Sequence, residues 1–454
     1  MIGNSGLGKT WSEWTQSFPL LEDIMEMKPV FWQNPSRTDA TGLPVSEDDI
    51  EEAKTLWRRF APFIKELFPE TKASDGIVES PLRSIPKMQQ ALERHYHARI
   101  RGRLYLKCDN ELPIAGSIKA RGGVYEVLKY AETLAIEQQL ITKEKNYEQF
   151  ASPKFKHFFK QYSIGVASTG NLGLSIGIIS AALGFNVTVH MSADAKEWKK
   201  ELLREKGATV REYNADFSRA IARGRELSSY EPNSYFIDDE NSRDLFLGYS
   251  VAALRLKDQL ESQGIYVDAD NPLFVYLPCG VGGSPGGITF GLKSIFGPHA
   301  HCFFVEPTHS PSVLIGLLTG QKEKVSVRDF GLDNLTEADG LAVGRPSSFA
   351  TEISEKLVSG NYTIHDNELF KLLTLLMDTE EIKVEPSAAS GLQGPILLNR
   401  CPSYIDKHHL SSKMHQATHI AWSTGGSLVP DEEMRMFYEK GKTLMSGNRV
   451  GDSD

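Results

Sequence analysis

The sequence predicts an α/β protein built as two lobes of parallel-type sheet flanked by helices. Three observations lead there. Short apolar runs alternate with helix-period segments from about residue 104 to the C-terminal region. Several of those runs end in turns of Gly, Ser, Thr or Asn that open directly into a helix. The chain is also long enough, at 454 residues and 40% hydrophobic, to bury two separate cores.

The elements follow in order. Residues 1–75 are polar and irregular, with Trp11, Trp14, Phe31, Trp32 and Trp57 set into them, and read as an extension packed on the larger lobe. Within it, 51–68 places Ala53, Leu56, Trp57, Phe60, Ile64 and Leu67 mostly three or four apart, the period of an amphipathic helix. Residues 103–107 read as a strand, and Ser117 as the N-cap of a helix over 118–140. The Lys- and Phe-rich stretch 146–160 reads as a solvated surface connection. Strand 163–167, helix 172–183 stopped by Gly184, and strand 187–190 come next. A charged helix over 197–206, stopped by Gly207, leads to strand 208–212. Strand 273–277, a glycine-rich loop, a helix over 288–295 and strand 302–305 follow. Strand 419–422 leads through another glycine turn to a helix over 431–440. The expected division is an extension over 1–75, a large domain from 76–125 and 255–454, and a small domain over 126–254.

Composition narrows the function. With 50 basic and 59 acidic side chains the net charge is −9, which disfavours a basic face for nucleic acid or for an anionic membrane surface. Cys108, Cys279, Cys302 and Cys401 are scattered, with no metal spacing and too few for a disulfide scaffold. The first residues carry Gly, Asn and Ser and no apolar stretch, so no signal peptide is expected and the cytoplasm is the expected compartment. Residues 161–193 contain no Asp, Glu, Lys or Arg, yet Ser168 to Asn171 and then Gly184 and Asn186 break the run with turn chemistry. It reads as strand, helix and strand rather than as a membrane span.

Two motif matches carry little weight. Gly3-Asn4-Ser5-Gly6-Leu7-Gly8-Lys9-Thr10 fits the phosphate-binding P-loop, but only Met1 and Ile2 precede it, too few for the strand that such a loop needs. Gly282-Gly283-Ser284-Pro285-Gly286 fits the nucleophile elbow of α/β-hydrolases. That elbow uses the backbone N–H after the nucleophile, and Pro285 has none, so an interaction worth a few kcal/mol is missing.

The same loop has another use. Five of the eight residues in 280–287 are glycine, between an apolar strand and a helix, which suits an anion approaching backbone and helix N-terminus. Pro285 stands where a dinucleotide fingerprint needs glycine, so the phosphate belongs to a smaller cofactor. Ser168-Thr169-Gly170-Asn171 offers donors that fit a carboxylate, and equally a plain helix cap. Ser423-Thr424-Gly425-Gly426-Ser427 is a further polar turn at a strand's C-terminal end, where ligands sit in open α/β sheets. Lys119, on the first turn of its helix, feels the positive end of the dipole, which favours the neutral, nucleophilic amine.

This set resembles the fold-type II pyridoxal-phosphate enzymes, the serine/threonine dehydratase and tryptophan-synthase β-subunit group. Gly116-Ser117-Ile118-Lys119-Ala120-Arg121-Gly122-Gly123 is similar to that group's Schiff-base segment, and the other turns occur in the group's order. Phe31-Trp32-Gln33-Asn34-Pro35 and the long N-terminal segment resemble the D-serine-acting branch. Ser284 stands where glycine is the rule, although its hydroxyl can still donate to phosphate. The resemblance implies that Lys119 binds the cofactor covalently and that Gly280, Gly282, Gly283, Ser284, Gly286 and Gly287 frame its phosphate. Asn171 would meet the 3′-oxygen, and Thr424, or Ser423 beside it, the pyridine nitrogen. Ser117, Ser168, Thr169 and Gly170 would face the substrate, with Asp238 a further substrate contact. Glu306, Ser310 and Ser312 match the spacing of a site for K⁺ or Na⁺, and match a surface Glu-Pro turn as well. Glu385-Pro386-Ser387-Ala388-Ala389 is similar to a segment near the cofactor. The activity that the resemblance implies is β-elimination converting D-serine to pyruvate and ammonia, in a monomer. Same-fold L-threonine or L-serine deamination and cysteine desulfhydration are the alternatives, since nothing in the residues separates D from L.

Overall fold

A computed structural model of the chain describes residues 8–38, 41–214, 224–226, 228, 230–231 and 233–447. The first five residues of the P-loop look-alike, Gly3 to Leu7, lie outside them. Thr10, at its other end, caps the short helix Trp11–Ser17 through a capping box with Glu13.

The chain divides into two units. The first comprises Met1–Val45, Pro81–Asn110 and Ala252–Asp454; the second comprises Ser46–Ser80 and Glu111–Val251. The expected breaks were at 75, 125 and 254. The extension is in fact shared between the units, and the lysine segment belongs to the second. Side chains account for the shift. In the second unit, the helix Glu47–Leu67 starts at a capping box of Ser46 and Asp49. From it Arg59 reaches Glu132 with two hydrogen bonds of 2.6 and 2.9 Å, and Phe60 packs edge-on against Tyr147 and Phe150. In the first unit, Trp11 donates to the Asp329 carbonyl and Trp14 packs on Phe330.

The first unit is organised by a seven-stranded sheet. Its strands are β1 (Phe31–Gln33), β2 (Leu82–Ser84), β3 (Arg103–Cys108), β8 (Leu273–Pro278), β9 (Ala300–Pro307), β10 (Gly360–Ile364) and β11 (Thr418–Ser423). The order is β1-β10-β9-β8-β11-β3-β2, parallel through the middle, with antiparallel β1 and β2 at the edges. Every residue of β8, β9, β10 and β11 is buried, as expected for strands covered on both faces. The C-terminal ends of these parallel strands share one edge of the sheet.

The second unit holds β4 (Ser163–Ala167), β5 (Asn186–Ser192), β6 (Thr209–Tyr213) and β7 (Ser234–Ile237), all parallel, in the order β6-β5-β4-β7. The uncharged run 161–193 becomes β4, the helix Asn171–Leu183 and β5. Among the described residues no helix is long and apolar enough to cross a membrane. In the expected lysine helix, a π-turn Ala120–Val124 precedes the α-helix Tyr125–Glu137. Ser117 does not cap it: its hydroxyl is buried without a partner among the described residues, and Lys119 takes the N-cap position.

Candidate functional site

The second unit sets out its candidate residues at the C-terminal ends of β4 and β7, which are neighbours in register, Val166 opposite Ile237. After β4 the Ser168 N–H donates to the His190 carbonyl at 3.0 Å, and the Gly170 N–H to the Ser168 hydroxyl at 3.3 Å. Gly170 caps the helix Asn171–Leu183 with no side-chain bond. The first-turn N–H groups of that helix therefore sit beside Ser168, Thr169 and Asn171, all half-buried.

Lys119 is half-buried at the head of the π-turn, a geometry concentrated at functional sites. Its ammonium lies 5.9 Å from the centre of the Tyr249 ring. Glycines bring the backbones together there. A Cβ on Gly122 would lie 2.5 Å from the Tyr249 ring, one on Gly123 2.3 Å from the Ser175 hydroxyl, and one on Gly248 2.5 Å from the Arg121 carbonyl oxygen. Arg121, nearly fully buried, forms an ion pair with Glu79.

After β7 come two adjacent carboxylates with different surroundings. Asp238 is taken by Arg225 at 2.6 Å and by the Glu240 N–H at 3.2 Å. Asp239 interacts electrostatically with Lys119. Burial pushes its carboxyl up to about 6, while the lysine charge pulls the other way. The sequence reading singled out Asp238 and missed Asp239.

The first unit sets out the other candidates. Beyond β8, Gly282 has φ +102°, and the helix starts at Gly283, well before the expected 288. So Gly283, Ser284, Gly286 and Gly287 form its first turn. The Gly286 N–H bonds back to the Gly282 carbonyl at 2.8 Å, and Pro285 has no N–H, which leaves Gly283 and Ser284 as the turn's leading donors. Ser284 lies inside the helix with ordinary φ, not on a strained elbow, as the missing Pro285 N–H already indicated. A Cβ on Gly280 would lie 3.1 Å from the Gly340 carbonyl oxygen.

β11 runs beside β8 and ends at Ser423, whose hydroxyl is fully buried with no partner among the described residues; Thr424 is nearly as buried. The turn beyond is pinned: the Glu385 N–H donates to the Gly425 carbonyl at 3.0 Å, and a Cβ on Gly426 would lie 2.7 Å from the Val384 Cα. Ser387 donates to Glu385 at 3.1 Å, which ties the Glu385-Pro386-Ser387 segment to the same turn.

Glu306 is fully buried on β9. Its oxygens accept the Val313 and Leu314 N–H groups, both at 2.8 Å, and the Asn361 amide at 2.6 Å. Burial nevertheless pushes its carboxyl up to about 8. The Ser312 hydroxyl and the Asn361 amide oxygen are buried without partners among the described residues. Ser310 is bonded to Asn334 and to Val343. Among the described residues no cluster of three His, Cys, Asp or Glu could hold a metal.

Known proteins resemble the chain over most of its length. The family model described as pyridoxal-phosphate dependent enzyme matches residues 73–408. A protein of Bacillus anthracis (strain CDC 684 / NRRL 3495) named "Probable D-serine dehydratase" is 55% identical over 433 residues, covering 94% of this chain and 97% of its own. One of the same name from Geobacillus stearothermophilus is 55% identical over 445 residues, covering 96% and 97%. Among solved structures, Escherichia coli diaminopropionate ammonia lyase in complex with D-serine is similar at a TM-score of 0.70 and 16% identity, covering 91% of this chain and 98% of that one.

Proposed function

The chain belongs to the pyridoxal-phosphate dependent enzyme family, and we propose that it is a D-serine dehydratase, an ammonia-lyase that converts D-serine to pyruvate and ammonia with loss and regain of water. The observation that carries the substrate is the near-full-length identity to relatives of that name.

The residues fit the cofactor. Pyridoxal phosphate supplies an electron sink for the charge that develops at the substrate's Cα. The Lys119 amine would take its aldehyde, and the N–H donors of the turn formed by Gly280, Gly282, Gly283, Ser284, Gly286 and Gly287 its phosphate. Asn171 would bond the 3′-oxygen. The unpartnered Ser423 hydroxyl supports a role for it, with Thr424 beside it, against the ring nitrogen. A hydroxyl there, unlike a carboxylate, leaves that nitrogen uncharged, which favours prompt loss of a β-substituent.

Ser117, Ser168, Thr169 and Gly170 hold the substrate carboxylate on neutral donors. Elimination needs one proton removed from Cα and one delivered to the departing hydroxyl. The Lys119 amine and the Asp239 carboxyl, which interact electrostatically and of which the carboxyl is poised near 6, are the groups assigned to these two transfers. Asp238, held by Arg225, orients the turn that carries Asp239. A K⁺ or Na⁺ ion beside Glu306, Ser310 and Ser312 is supported by the two unpartnered oxygens of Ser312 and Asn361. We read the protein as a cytoplasmic monomer; its net charge of −9 supports only the absence of a basic face for nucleic acid or an anionic membrane.

Pyruvate release from D- and L-serine by the purified protein tests the proposal. Turnover of D-serine far above that of L-serine, L-threonine and L-cysteine is expected. Preference for any of those three would overturn it.

A further inference from the structure

Glu126 lies on the helix Tyr125–Glu137, two turns beyond Lys119, and is nearly fully buried. Neither of its oxygens is spent on its own helix. The Tyr235 hydroxyl donates to Oε1 at 2.7 Å, and the Ser242 hydroxyl to Oε2 at 2.6 Å. Those two residues bracket one connection. Tyr235 is on β7, and Ser242 immediately precedes the helix Arg243–Ser262 and accepts the Leu245 N–H at 3.0 Å. Between them lies the turn in which the Asn241 and Ser242 N–H groups bond the Asp238 carbonyl, and which carries Asp239.

One helix turn further on, Tyr130 stacks on the Tyr235 ring at 4.4 Å and 18°. The same helix face thus grips β7 twice, by a ring and by a carboxylate. A buried carboxyl with two hydroxyl donors is costly to place and rigid once satisfied. Tertiary packing does not require it, since an apolar side chain would fill the space.

We propose that Glu126 is a positioning residue: it clamps both ends of the connection from Tyr235 to Ser242 to the helix that begins at Lys119, and so fixes where Asp239 stands against the lysine amine. The proposal rests on the proton-handling reading of Lys119 and Asp239. It adds the group that holds the two in register. Burial holds the Glu126 carboxyl up at about 7, consistent with a site kept for its bonds rather than for its charge.

The test uses the full-length holoenzyme and the variants Glu126→Ala, Glu126→Gln and Asp239→Asn. Hydrogen exchange is followed in the connection between Tyr235 and Leu245, and kcat and KM for D-serine are measured. In Glu126→Ala, exchange there should speed up and kcat should fall on the order of tenfold to a hundredfold with little change in KM, the pattern of a misplaced reacting group. Glu126→Gln, which can bond both hydroxyls once one of them turns to accept, should recover most of kcat. It also covers the case in which the alanine variant folds poorly. Unchanged exchange in Glu126→Ala, or faster exchange with unchanged kcat, would overturn the clamp. Full turnover in Asp239→Asn would instead overturn the reading of Asp239, and the exchange data would still report on Glu126 independently.

Discussion

At the scale of single residues, what the sequence made legible was local. Lys119 with its two following glycines, the glycine turn after β8 and the hydroxyls after β4 and β11 are all carried by short spacings. Asp239 was not legible, because what separates it from Asp238 is its surroundings. Arg225, 13 residues upstream, takes Asp238, while buried Asp239 interacts electrostatically with Lys119. No pattern in an Asp-Asp pair records it. The assignment has a pH signature. With Asp239 as the group that removes the Cα proton, a carboxylate held at about 6 is charged above that value, so kcat/KM for D-serine should rise with pH through about 6 and level off. Asp239→Asn should lose that limb and lower kcat by roughly a hundredfold or more. A variant that kept both the limb and the rate would remove Asp239 from the chemistry.

At the scale of elements, strands that are apolar throughout and followed by polar turns were readable, and short or mixed ones were not. β10 reads Gly-Asn-Tyr-Thr-Ile, with no continuous apolar run, yet it is buried throughout between β9 and β1 of the sheet. β1 and β2 have three residues each, too few to show a period. The helix Gly283–Phe296 starts with residues of poor helix propensity, so the sequence placed its start too late; packing overrides propensity there. The start of the lysine helix was also misjudged, because the Ser117 hydroxyl that suggests an N-cap is buried without a partner among the described residues and Lys119 takes the cap position, while Gly122 and Gly123 serve close packing. That crossing can be tested away from the reacting groups. A methyl on Gly248 would lie 2.5 Å from the Arg121 carbonyl and 2.7 Å from the Tyr125 Cβ, so backbone must move. Gly248→Ala should cost about 1–3 kcal/mol in urea unfolding and lower kcat, because the shifted backbone is that of the Lys119 π-turn. A variant with wild-type stability and turnover would show that the crossing has slack.

At the scale of the whole molecule, buried ionisable groups give two opposed pH dependences that hide one another. In the first unit His419 is buried between the Tyr276 hydroxyl at 2.8 Å and the Arg101 carbonyl at 2.9 Å, and burial lowers it from 6.5 to about 4. The folded state then binds fewer protons than the unfolded one between those values. Stability from this group is present above 6.5 and is lost as pH falls toward 4. Glu306 runs the other way. Its carboxyl is raised from 4.5 to about 8, so the folded state binds more protons and stability falls as pH rises through that window. Between pH 4.5 and 6.5, where the two windows overlap, the wild type should therefore show a shallow profile, and single substitutions should uncover the slopes. His419→Phe keeps a ring against Phe274 and leaves Tyr276 without a partner, a cost that does not vary with pH. Its stability relative to wild type should decline as pH rises from 4 to 6.5, by at most about 1.4 kcal/mol per pH unit. Glu306→Gln should gain on wild type from 4.5 to 8 with the same limit. That second slope also tests the ion. A cation beside Glu306 favours the charged carboxylate, so the gain should be smaller in potassium than in a bulky organic cation. Equal slopes in both salts would sink the cation site, and no slope in either would show that burial does not hold Glu306 protonated.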